Sequence, residues 1–151
     1  MLEHDFAAYP ELTKAQLEEF QFLSPHKQIT EDFEAVVVKV HDGDTITLRT
    51  VFRDFDFPLR LLDIDAPEMS EGGEDARDWL RIRLMNECVQ ILIDRRNRVD
   101  KYGRLLGKVF HRGMDVGEEE LRMGLAAPFT RRREGELPNM DKTFSMKQWL
   151  A

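Results

Sequence analysis

At 151 residues with 42% hydrophobic content, the chain is sized for one hydrophobic core and too short for two domains of ordinary length. Its net charge of −7, from 29 acids against 22 bases, excludes a protein that coats a polyanion by charge alone. The single cysteine, Cys88, excludes an internal disulfide and a cysteine-based zinc site, and none of His4, His26, His41 and His111 pairs at ligand spacing.

Residues 1–34 hold 8 acids and 2 bases, whereas residues 35–126 are nearly balanced at 18 and 15. The acidity that would repel a phosphate backbone therefore sits mainly in an N-terminal extension. No apolar run approaches a membrane span, and residues 1–10 lack a basic-then-apolar leader pattern, so a cytoplasmic location is the expectation.

In chain order, residues 13–23 carry Leu17, Phe20 and Leu23 at helical spacing behind Thr13 as a cap. Ser24, Pro25 and His26 end that pattern, and residues 1–32 read as a helical extension plus linker. From Phe33 the period becomes two. Val36, Val38 and Val40 are expected on one face, and Ile46 and Leu48 follow a turn in which Gly43 is free to take a positive φ. A third strand over 57–63 runs into Asp65-Ala66-Pro67-Glu68, where Pro67 ends regular structure. After a polar loop at 70–73, a helix of about four turns places Ala76, Trp79, Leu80, Leu84 and Cys88 on one side, with Cys88 as core packing. Val89, Ile91 and Ile93 mark a fourth strand and residues 105–110 a fifth, before a helix over 114–126. Residues 128–151 form a tail with an arginine triplet at 131–133 and a terminal helix over 142–150. Five strands with helices after the third and fifth imply an α+β, mainly β chain: a five-stranded OB-like barrel over 33–127 with two to three flanking helices.

Asp44, Asp65 and Glu68 stand at strand ends, with Arg60 and Arg104 in or beside strands of the same sheet. Hydrolysing a phosphodiester needs positive charge on the non-bridging oxygens, a water held in line and a group to take its proton. Carboxylates plus a backbone carbonyl form an all-oxygen ligand set suited to calcium or magnesium, and arginine forks suit phosphate oxygens. Each residue has a plainer use as well: Asp-Gly pairs are common turn formers, and Arg60 and Arg104 could pair with Asp63 or Asp100. In a regular strand Arg60 and Asp65 would point to opposite faces, so the chain must bend between them for the site to form.

The stretches VHDGDTITL (40–48), LRLLDIDAPE (59–68), DKYGRLLGKVF (100–110) and VGEEELRMGLA (116–126) resemble, in order and spacing, the signature blocks of staphylococcal nuclease-like domains. That resemblance implies an OB-type barrel and a calcium-dependent nuclease acting on DNA or RNA, in which water attacks phosphorus and a 3′-phosphate is left. By position, Asp44, Asp65 and the backbone carbonyl of Ala66 match the Ca2+ ligands, with Asp42 behind them. Glu68 matches the carboxylate serving the attacking water, Arg60 and Arg104 the pair gripping the phosphate, and Lys101 and Tyr102 residues near the terminal phosphate and base. The tyrosines expected after the Gly-Leu-Ala block are missing, and Phe129 stands nearby. A monomer with single-stranded substrate is expected, the rival reading being a noncatalytic nucleic-acid- or protein-binding module on the same barrel.

Overall fold

The computed structural model describes residues 10–13, 16 and 27–129. In chain order the elements are β1 (Phe33–Asp42), β2 (Thr45–Arg49), β3 (Phe57–Leu61), β4 (Ile64–Asp65), α1 (Glu74–Leu84), β5 (Cys88–Leu92), β6 (Leu105–His111), β7 (Met114–Asp115), α2 (Val116–Arg122) and β8 (Ala127–Pro128). The strands β3, β2, β1, β5 and β6 pair in that order, and a parallel β3–β6 pairing closes them into a five-stranded OB-type barrel. Closure removes the open edges that such short strands would otherwise present. The expected α+β, mainly β barrel with flanking helices is thus the observed fold.

Alternation fills the barrel. Ile46 and Leu48 of β2, Phe57, Leu59 and Leu61 of β3, Val89 and Ile91 of β5, and Leu105 and Val109 of β6 are all buried. Each such side chain contributes about 1.5–3 kcal/mol through removal from water. In β1 the inward residues are Ala35, Val37 and Val40, not the expected set of Val36, Val38 and Val40, and Val36 is exposed. The register against β2 shifts between Val37 and Lys39, so one extra residue breaks the period of two.

Helix α1 has acids in its first turn (Glu74, Asp75) and arginines in its last (Arg81, Arg83), which complements its dipole. Ala76, Leu80 and Leu84 form its buried stripe. It runs three turns, not four, because Met85 turns extended and Asn86 adopts φ 63°. Cys88 consequently falls in β5 on its exposed side, and the expected core packing is corrected. The second helix is also shorter than 114–126: residues 114–115 pair with β6, Asp115 caps the helix by accepting from the Glu118 N–H at 3.2 Å, and Gly124 at φ 71° lies just past its end.

A strap at residues 10–12 docks on the barrel through a buried acid. Glu11 accepts from Arg53, from Arg98 at 2.6 Å and from the Ile29 N–H at 3.0 Å, while Arg98 also donates to the Ile29 and Leu12 carbonyls. Thr13 and Gln16 then bond reciprocally, Gln16 N–H to Thr13 Oγ1 and Thr13 N–H to Gln16 Oε1, the bonding pattern of a capping box. The rest of the expected helix at 13–23, the arginine triplet and the helix at 142–150 lie outside the described residues. Among the described residues no helix is long and apolar enough to cross a membrane.

Candidate active site

The site begins at the β1–β2 turn. Asp42 pairs with Thr45, leaving Gly43 and Asp44 as a two-residue loop. Neither takes a positive φ, so the expected left-handed role of Gly43 is corrected. Its constraint is contact: an added Cβ would lie 2.6 Å from the Ala76 Cβ, 2.8 Å from the Ala66 Cβ and 3.3 Å from Glu120 Oε1. The turn is pressed against α1, the Ala66 loop and α2 at once. Asp42 Oδ1 accepts from the Asp44 N–H at 3.0 Å and so shapes the loop from within.

Asp44 itself is buried and held on both oxygens. Oδ1 accepts from the Thr45 hydroxyl at 3.0 Å, and Oδ2 accepts from the Ala66 N–H at 2.9 Å. Its backbone carbonyl takes the Leu61 N–H at 2.7 Å, tying the turn to the end of β3. Burial, with Asp42 adding to it, pushes the Asp44 carboxyl above its ordinary range, against the opposing Ala66 N–H and Arg60 charge.

The required bend lies between β3 and β4. Asp63 takes φ 69°, and its side chain turns outward to 4.0 Å from Lys108 Nζ, not along a face shared with Asp65. That turn reverses the parity, and the Arg60 guanidinium Nη2 ends 3.4 Å from both Asp44 Oδ2 and Asp65 Oδ1. The Arg60 and Asp44 side chains are each 11% exposed, and Asp65 is more open at 44%. Glu68 follows on the exposed rim with no ion pair among the described residues. Its backbone is braced: its carbonyl accepts from the Glu71 and Gly73 N–H groups at 2.8 and 2.9 Å, and a Cβ on Gly73 would sit 2.3 Å from the Pro67 carbonyl oxygen.

Arg104 enters from the strand beside Arg60. The parallel register pairs Leu59 with Leu105 and Arg60 with Leu106, so Arg104, directly before β6, stands at the end of the ladder that carries Arg60. Asp100 organises this edge, accepting from the backbone N–H groups of Tyr102 and Arg104 and from Arg104 Nε at 2.7 Å. Arg60 therefore pairs with Asp44 and Asp65 and not with Asp63, whereas Arg104 does pair with Asp100. The Tyr102 ring is 62% exposed, with Lys101 Nζ 5.1 Å and the Arg104 guanidinium 5.5 Å from its centre. On the far side, Phe129 places its ring 5.0 Å from the Arg60 guanidinium. Sequence reasoning noted Phe129 without a role; the β4–β8 pairing, with the Phe129 N–H bonded to the Asp63 carbonyl, brings it there.

Glu120 was missed. It is fully buried in α2, neither carboxyl oxygen has a hydrogen-bond partner among the described residues, and Oε1 lies behind Gly43. Burial, then the charges of Asp44 and Asp42, push its carboxyl up to about 9. The signal was available: Val116, Gly117, Glu120 and Leu121 fall on one buried helical stripe, and an acid on such a stripe is unusual.

The donor chemistry fits a hard divalent cation. Two carboxylates converge on one cationic group, a carbonyl-bearing loop is bonded to one of them, and an orphaned buried carboxyl stands behind. Among the described residues no three His, Cys, Asp or Glu side chains form a ready cluster, so water would complete such a ligand set.

The family description "Staphylococcal nuclease homologue" matches residues 58–148, a stretch that includes Arg60, Asp65, Glu68 and Arg104. The chain is similar to "Probable endonuclease lcl3" of Aspergillus niger, at 31% identity over 124 residues, covering 70% of this chain and 44% of that protein. It is 40% identical over 83 residues to "Micrococcal nuclease" of Shigella flexneri, covering 52% and 43%, and 32% identical over 97 residues to "Probable endonuclease LCL3" of Komagataella phaffii, covering 57% and 41%. The chain spans less than half the length of each of these relatives. With a matching family description over more than half of its residues and the corresponding barrel, the chain belongs to the staphylococcal nuclease homologue family.

Proposed function

We propose that this domain is a calcium-dependent nuclease that hydrolyses phosphodiester bonds of DNA or RNA. The observation that carries the reading is the convergence of Asp44 and Asp65 on Arg60 at 3.4 Å, beside a Glu68 with no ion pair among the described residues. Asp44, Asp65 and the Ala66 carbonyl would hold the cation, with Asp42 stiffening the turn behind them. A calcium ion held there would supply positive charge to the phosphate oxygens. The names of the relatives, endonuclease and micrococcal nuclease, support a nucleic acid as substrate.

The protein's own groups do the rest. Arg60 of β3 and Arg104, directly before β6, grip the non-bridging oxygens and stabilise charge as it builds in the transition state. Glu68 accepts the proton of the attacking water; the new bond forms from water oxygen to phosphorus, and the bond from phosphorus to the 5′ oxygen breaks, its electron pair staying on that oxygen, which takes a proton from solvent to leave as a 5′-hydroxyl beside a 3′-phosphate. The exposed Tyr102 ring, with Lys101 beside it, suits an unstacked base, which favours single-stranded or frayed substrate.

The test is cleavage of a fluorescent single-stranded DNA with calcium, with magnesium and with excess chelator, alongside Glu68→Gln. Calcium-dependent cutting that disappears in the variant is the expected result. Binding of the strand without cutting under any of these conditions would replace the enzyme with a noncatalytic binding module.

A further inference from the structure

The geometry points to Glu120 as a supporting carboxyl of the divalent-cation site, acting from beneath the β1–β2 turn to strengthen cation binding at the expense of the stability of the cation-free protein. This rests on the reading that Asp44 and Asp65 hold a divalent cation.

Three independent observations meet at this residue. Glu120 is fully buried, and both of its carboxyl oxygens lack a partner among the described residues, whereas the buried Glu11 is satisfied by two arginines and a backbone N–H, and the buried Asp44 by the Thr45 hydroxyl and the Ala66 N–H. Its place in the fold explains why it cannot escape to solvent. It sits on the stripe of α2 that also carries Val116 and Leu121, both buried in the core. Finally, Oε1 stands just behind Gly43, at 3.3 Å from where a Cβ would be, and Gly43 joins Asp42 to Asp44. The charges of Asp44 and Asp42 act on Glu120.

An acid in this position is unfavourable as a packing element. An aliphatic side chain would fill the same space with no orphaned polar atoms. Nor does it support the turn by hydrogen bonding, since it makes none among the described residues. What it can do when ionised is add negative potential in a low-dielectric region behind Gly43, the residue next to Asp44. Without a cation, burial and the neighbouring Asp42 and Asp44 disfavour the charged form and leave an orphaned buried carboxyl, whereas a dication held by Asp44 and Asp65 attracts the carboxylate. The same side chain therefore weakens one state and strengthens the other, and this crossing separates a cation-site role from a structural one.

The experiment compares wild type, Glu120→Leu and Glu120→Gln by calorimetric titration with calcium chloride and by thermal melting in chelator and in excess calcium, with Asp65→Asn as control. The expected result is a calcium affinity lowered by about tenfold or more in both Glu120 variants. In chelator the leucine variant melts above wild type, and its calcium-induced rise in Tm is smaller. Should the leucine variant fail to fold, the near-isosteric Glu120→Gln carries the affinity comparison. Wild-type calcium affinity in the Glu120 variants, with binding lost in Asp65→Asn, overturns this inference alone. No calcium binding by the wild type overturns it together with the cation reading on which it rests.

Discussion

Replacing Gly43 by alanine sets two opposing effects against each other, and the structure gives both magnitudes. Gly43 is not in the left-handed region, so an alanine meets no backbone strain and, by restricting the unfolded chain, would stabilise by about 0.4–1 kcal/mol. Against that, the new methyl would lie 2.6 Å from the Ala76 Cβ and 2.8 Å from the Ala66 Cβ, roughly 1 Å inside the optimal separation of two carbons. Neither neighbour is the flexible end of a long side chain. Ala76 is buried in α1, and Ala66 is bonded through its N–H to Asp44, so relief requires the turn to move as a unit. Overpacking of this kind costs about 1–3 kcal/mol. The net expectation is a destabilisation of about 1–2 kcal/mol once the entropic gain is offset. Urea unfolding followed by tryptophan fluorescence measures it, through an unchanged slope and a lowered midpoint. Because the movement separates Asp44 from Ala66, calcium affinity should fall with it. An alanine variant as stable as wild type, or more so, would refute the argument that contact rather than conformation demands glycine here.

Removing the buried acid of the strap, Glu11→Ala, leaves Arg53 and Arg98 buried without their partner and should cost about 3–5 kcal/mol in chemical denaturation. Deleting residues 1–32 should destabilise the barrel at least comparably for the same reason, and a truncated protein of unchanged stability would contradict the role given to the strap. Arg60→Ala and Arg104→Ala should each lower kcat by about 100- to 1000-fold, read from single-turnover cleavage. Glu68→Gln should reduce cleavage by a similar order while leaving calcium affinity near wild type, because its side chain stands on the exposed rim. Without added cation, the folded Glu120 carboxyl holds its proton more tightly than the unfolded chain does. Its contribution is therefore complete below the ordinary value of 4.5 and is lost as pH rises toward about 9. Melting temperatures in chelator should decline across that window and decline less in Glu120→Leu.

The order of strands and helices was readable because alternation and helical spacing report burial directly. It failed where the backbone departs from a regular period. The bulge at Val38 moved the inward set of β1 by one residue, and the left-handed Asn86 stopped α1 before Cys88. For the candidate site, the residue types were legible and their convergence was not. Arg60 and Asp65 have the wrong parity for a shared face, and only the turn at Asp63, a residue of no special turn signature in its context, reverses it. The Phe129 ring over Arg60 depends on a two-residue pairing between β4 and β8 that no local pattern announces. Glu120 shows the opposite situation, since a buried helical stripe was legible in 116–121 and the acid within it was passed over as one of three consecutive glutamates.

The parallel pairing of β3 with β6 also governs when the site comes into being. It joins residues 59–61 to residues 105–107, a contact of long sequence separation whose loop-closure entropy must be met before the ladder forms. The meander of β1, β2 and β3 can assemble from neighbouring segments, and with it the Asp44–Arg60 contact. Arg104 joins Arg60 only after β6 has been synthesised and has docked. During synthesis, the half-site made of acids and one arginine therefore precedes the complete phosphate grip, and the nascent chain acquires the full constellation only on closure of the barrel.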